Sequence, residues 1–203
     1  MLLHGIWTGA WLMRPLARRL RRCGYTTYLF SYPSVRQSPG QNAVRLNGFL
    51  RDLDAPTVHF VAHSLGGLVV TRLLKDFPEQ RPGRSVLLGS PLGGSLSARR
   101  LSRWAVGRWL LGRSVERGLL GGGPAWPGGR EVGVIAGSLG LGAGMLLGGL
   151  GAPGDGALTL DETEVPDAAD RVIVPASHTG LLLSARVARQ TCRFLRQGRF
   201  AHP

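Results

Sequence analysis

Apolar positions along this chain gather into short β-branched or aromatic runs that alternate with segments of helical period. Residues 57–62, 85–88 and 172–174 read as buried strands, and 25–31 as another strand, closed by Tyr32-Pro33. Residues 1–3 supply only the end of a first strand. A helix is expected over 14–23, with Leu16, Ala17 and Leu20 on one side and Gly24 as its stop. Further helices are expected over 42–53 (Val44, Leu46, Phe49, Leu50), over 68–77 before Pro78, and over 181–195 (Leu183, Val187, Thr191, Phe194). This order predicts an α/β architecture with a mainly parallel sheet, in one domain of 203 residues without internal repeats.

Two segments break the alternation. Residues 132–154 carry no charge over 23 positions, long enough to cross a bilayer. Nine of the 23 are glycine, and each costs a helix about 1 kcal/mol against alanine. A short strand over 131–136 followed by a glycine-rich loop is therefore expected, and no transmembrane helix. Residues 93–130 hold seven arginines, one acid (Glu116), three tryptophans and ten glycines. At about 100° per residue, Arg99, Arg103, Arg113 and Arg117 share one side. Leu101, Trp104, Ala105, Leu111, Val115 and Leu119 crowd the other. The expectation is a basic amphipathic helix, interrupted at Gly107 and Gly112, that covers a core, lies on a membrane or acts as a lid.

Charge adds a partner. The chain has 25 Lys plus Arg against 12 Asp plus Glu, a net +13, and Lys75 is its one lysine. Residues 1–130 hold +14 of this and 131–203 hold −1, so the field belongs to one part of the sequence. An anionic membrane surface fits that asymmetry, and so does a composition bias in which the arginines simply solvate the surface. No lysine-rich block, zinc-finger spacing or RNP-like aromatic motif points to nucleic acid. Cys23 and Cys192 are far apart and outside any CxxC motif, and are expected to act as small hydrophobes. Met-Leu-Leu-His-Gly lacks the basic region and cleavage site of a signal peptide. The expected location is cytoplasmic, with peripheral membrane contact.

The strongest chemical signal is Ala62-His63-Ser64-Leu65-Gly66-Gly67, where a buried strand meets a helix. A nucleophile elbow needs that context, because a sharp turn lifts the serine hydroxyl above the sheet and crowds the neighbouring backbone. Ala62 and Gly66, two before and two after Ser64, relieve the crowding. His63 reads as packing, since adjacent side chains leave such a turn in different directions. His4-Gly5 follows the first strand, sixty residues ahead of the elbow.

With these motifs the chain resembles the α/β-hydrolase superfamily, specifically its bacterial lipase- and esterase-like members, from His4 to about Phe200. The resemblance implies a minimal α/β-hydrolase fold of about six strands flanked by helices, with 93–130 as its cap. It implies an oxyanion hole from the backbone N–H groups of Ile6 and Leu65. The family order of nucleophile, acid and histidine selects His178, in the loop before the last helix; His202 is expected to fray near the terminus. Asp155-Gly156 resembles the turn that carries the acid in lipase-like relatives. The acids at 161–170 look like solvated surface.

The implied reaction is ester hydrolysis through Ser64, His178 and Asp155, with an acyl-enzyme intermediate and no metal or cofactor. The implied substrate is a small acyl ester or lipid, received on an apolar surface of Trp7, Trp104 and Trp109. Alternatives are acyl transfer through the same residues, or a catalytically silent basic module that binds membranes or nucleic acid.

Overall fold

The computed structural model describes residues 1–141 and 152–202. Its strands are β1 (Leu2–Leu3), β2 (Leu29–Phe30), β3 (Phe60–His63), β4 (Ser85–Leu88), β5 (Val132–Gly137) and β6 (Asp170–Val174). All pair in parallel, in the order β2-β1-β3-β4-β5-β6. The helices among the described residues are α1 (Arg14–Arg22), α2 (Pro39–Arg51), α3 (Leu65–Asp76), α4 (Leu96–Ser102), α5 (Ala105–Leu111), α6 (Gly180–Leu183) and α7 (Ala185–Gln197).

Alternation along the strands divides the core into two layers. Phe60, Ala62, Leu87 and Val134 pack with Leu46 of α2 and Leu73 of α3. Val61, Val86, Leu88 and Ile135 pack with Leu16 of α1 and Phe194 of α7. Both faces of the sheet are therefore covered, which is why β1 to β5 are largely apolar, while the edge strand β6 carries Asp170 and Arg171.

Local capping moves several boundaries from their expected positions. Helix α2 begins at Pro39 because Ser38 and Gln41 form a reciprocal capping box, with bonds of 3.3 and 3.1 Å. The closing helix is two helices, because Ser184 leaves helical geometry and caps Val187 N–H at 3.3 Å. Strand β2 keeps only two of the seven residues expected, since its one partner, β1, is itself two residues long.

The segment after β4 departs further. It breaks at Arg103-Trp104, between α4 and α5, rather than at Gly107. Gly107 instead lets α5 approach the end of α4: a Cβ there would lie 1.9 Å from the Leu101 carbonyl oxygen. Gly112, at φ 53°, does end α5 as expected. The uncharged run begins with β5, and most of the glycine-rich loop expected after it, residues 142–151, lies outside the described residues. No helix among the described residues is long and apolar enough to cross a membrane.

The cysteines require a correction. Cys23, just past α1, and Cys192 in α7 form a disulfide across 169 positions. Neither is simply a small hydrophobe; the fold lays α1 against α7 and brings the two thiols together.

Candidate active site

Strand β1 lies between β2 and β3, so the chain turns to opposite sides of β1 in its first two crossovers. Such a switch point opens a crevice at the carboxyl ends of the strands. His4-Gly5 leaves β1 there, and Ser64 leaves β3 beside it. Ser64 has φ 52° and ψ −121°, a strained turn for a residue with a Cβ. Gly66 permits it, because a Cβ at that position would stand 2.9 Å from both the His4 carbonyl oxygen and the Leu3 Cβ.

The acid and base meet from the far side. Asp155 Oδ2 accepts a 2.7 Å hydrogen bond from His178 Nδ1. Its other oxygen, Oδ1, accepts from the N–H groups of Ala157 and Leu158 at 2.9 and 2.8 Å. The carboxyl is 1% exposed. Burial by itself raises its pKa, but the His178 bond and the two backbone donors outweigh burial and leave it below its ordinary value. Gly89, at φ 50°, makes room for the pair: a Cβ would lie 3.0 Å from Asp155 Oδ2 and 3.2 Å from His178 Nδ1.

Ser64, His178, Gly5 and Ile6 line one apolar cavity of about 280 Å³. No hydrogen bond joins Ser64 to His178 in this conformation. Leu65 occupies the first position of α3, where an N–H has no intrahelical acceptor. The loop bearing Ile6 is braced by Tyr32, whose Oη donates to the His4 carbonyl at 2.5 Å and whose N–H donates to His4 Nε2 at 3.3 Å. The Tyr32 ring stacks on His4 with centroids 4.2 Å apart. Sequence reasoning assigned Tyr32 only to the end of a strand, and nothing local signals its partner 28 positions away.

The tryptophans separate. Trp7 lines the cavity at φ 58°, and its Nε1 donates to the Leu110 carbonyl of α5 at 2.8 Å. Trp104 and Trp109 do not line it and stand 73% and 76% exposed. Leu101, Leu111 and Leu119 line the wall that Trp104 and Trp109 were expected to form. Glu162 is also more than solvated surface. Its carboxylate accepts from Thr159 N–H at 2.7 Å and from Leu96 N–H, which fastens α4 to the loop following Asp155. His202 is tied to Asp170 at 2.9 Å rather than fraying.

A sheet of parallel strands with a strained serine turn at its switch point and a buried acid–imidazole pair opposite defines a hydrolase architecture. The sequence pattern of the alpha/beta hydrolase family matches residues 1–196, and the chain belongs to that family. No curated protein matches. Among solved structures, a Bacillus licheniformis lipase in its mature form is similar at 20% identity and TM-score 0.77, over 96% of this chain and 89% of that one. A metagenomic carboxyl esterase is similar at 18% identity and TM-score 0.66, over 87% and 63%. A pyrethroid hydrolase from Sphingobium faniae is similar at 14% identity and TM-score 0.63, over 97% and 96%. At these identities the likeness is one of fold.

Proposed function

We propose that this hydrolase cleaves carboxylic esters, with Ser64 as nucleophile, His178 as general base and then acid, and Asp155 as the group that orients the imidazole. The observation that carries the reading is the 2.7 Å Asp155–His178 hydrogen bond, beside a serine held at positive φ on the same apolar cavity. Asp155 holds the Nδ1–H tautomer, which leaves Nε2 free to take the Ser64 proton as its oxygen attacks the ester carbonyl. The N–H groups of Ile6 and Leu65 receive the oxyanion, each such donor contributing about 3 kcal/mol to the transition state. His178 returns the proton to the leaving alcohol, and water, deprotonated by the same imidazole, releases the acid. The lipase and esterase descriptions of the structural relatives support an ester substrate, and the leucine-lined wall suits its acyl part.

Residues 93–130 serve as the cap of this site in our reading. Trp104, Val106 and Trp109 are exposed on it, beside Arg103 and Arg108. That pairing of apolar and cationic side chains suits an anionic lipid surface. The disulfide favours an oxidising compartment over the cytoplasmic one expected from the N-terminus.

Hydrolysis of p-nitrophenyl esters of graded acyl length, with fluorophosphonate labelling, tests the reading. The parent protein is expected to turn over and label, and Ser64→Ala to do neither. Equal labelling of Ser64→Ala refutes the assignment. Salt-sensitive co-sedimentation with vesicles containing phosphatidylglycerol tests the membrane surface, and no binding refutes it.

A further inference from the structure

His63 immediately precedes the nucleophile and takes no step in the proposed reaction. Its side chain is buried, and its Nε2 lies 3.0 Å from the backbone carbonyl oxygen of His178. A carbonyl only accepts, so Nε2 carries the proton and Nδ1 is a bare acceptor. Nδ1 is buried with no hydrogen-bond partner. The ring lies 4.6 Å from the His178 ring, centroid to centroid. On its other side sits Gly5, where a Cβ would come within 3.1 Å of His63 Nδ1.

As a core filler this ring is a poor choice. An unpartnered buried acceptor destabilises the fold, and a phenyl group of similar shape would carry no such cost. Departures of this kind from good packing chemistry concentrate where function requires them. The ring touches the loop that carries the oxyanion donor and the loop that carries the base, and its one hydrogen bond reaches the base's own backbone.

We infer that His63 is a positioning residue: its Nε2–H holds the His178 carbonyl, and so fixes where the His178 imidazole stands relative to Ser64. The bond needs a neutral ring with a donor at Nε2. The groups facing it are His178, Asp155 and His4, and burial, with the nearby His178 adding to it, holds the His63 pKa down to about 3. His63 therefore stays neutral while its neighbour exchanges protons. This inference rests on the proposed triad.

The test compares His63→Phe, which keeps the ring and loses the donor, with His63→Gln, whose amide nitrogen reaches about as far as Nε2. For p-nitrophenyl ester hydrolysis, His63→Phe is expected to lose about 10- to 100-fold in kcat, the scale of a displacement of about 1 Å at a reacting group, with KM within twofold. His63→Gln is expected to recover most of the loss. The proton NMR signal of His178 Nδ1–H is expected to shift in His63→Phe and return toward its parental position in His63→Gln. The inference is overturned if a folded His63→Phe keeps kcat within twofold, or if a folded His63→Gln is as slow as His63→Phe. Should His63→Phe not fold, His63→Asn, too short to reach the carbonyl, takes its place under the same criteria. Should Ser64→Ala remain active, the triad reading fails on its own, and the Nδ1–H signal alone decides for or against His63.

Discussion

Replacing Asp155 by asparagine isolates the role of one oxygen. Oδ1 is held by two backbone N–H donors, from Ala157 and Leu158, so the amide of Asp155→Asn must place its carbonyl oxygen there. Its NH2 group then occupies the Oδ2 position, 2.7 Å from His178 Nδ1 in the parent structure. Two donors cannot face each other, and the imidazole must shift its proton to Nε2. That tautomer cannot accept the Ser64 proton. The expected loss is about 10⁴-fold in kcat, or about 5 kcal/mol of transition-state stabilisation, with the cavity and KM little changed. Asp155→Ala is the less informative change, because it also strands two buried N–H donors at about 1–3 kcal/mol each. The assay is ester hydrolysis by a protein whose thermal melt shows it folded. A folded Asp155→Asn variant within tenfold of the parent would falsify the assignment of Asp155.

Four further outcomes follow from the same contacts. Reduction of Cys23–Cys192 should lower stability by roughly 5 kcal/mol in the chain-entropy limit for a loop of 169 positions, and by about 2–4 typically. At about 2–4 °C per kcal/mol this is a fall in Tm of about 5–20 °C on adding reductant, and an unchanged melt contradicts it. Acid should destabilise the fold through His63, whose pKa falls from 6.5 to about 3 on folding. Because only the unfolded chain takes up that proton, stability should drop by about 1.4 kcal/mol per pH unit between those values; denaturant titrations across that window of the parent and His63→Phe would show a shallower slope in the variant. Gly89→Ala should forfeit at least tenfold in kcat and about 1–3 kcal/mol in stability, since its Cβ meets both Asp155 and His178 at a positive φ. Trp104→Ala with Trp109→Ala should weaken vesicle binding while leaving hydrolysis of a soluble short-chain ester within twofold; a parallel loss of both places these side chains in the fold rather than at a lipid surface.

Features that depend on neighbours along the chain are readable from residue order. A buried strand shows as an apolar run, a helix by its period, and the Ser64 turn by the small residues two positions to either side. That is why β4 coincides with its expected limits and why Ser64 is legible as a candidate from its neighbours, whereas Asp155 and His178 become candidates only through the family resemblance. Net charge and its bias toward residues 1–130 are also fully present in the sequence. Contacts between elements are not. The Cys23–Cys192 bond, the Tyr32 brace on His4, the Trp7 contact with Leu110 and the Glu162 link to Leu96 join residues 28 to 169 positions apart. No local pattern specifies such pairs, because a hydrogen bond or disulfide needs two groups placed within a few ångströms, and only the packing of helices on the sheet sets that distance. The same limit explains His63, which looks like ordinary packing beside Ser64 in the sequence. Only the fold, by returning the His178 loop across 115 positions, gives its Nε2–H a carbonyl to hold and leaves its Nδ1 with nothing.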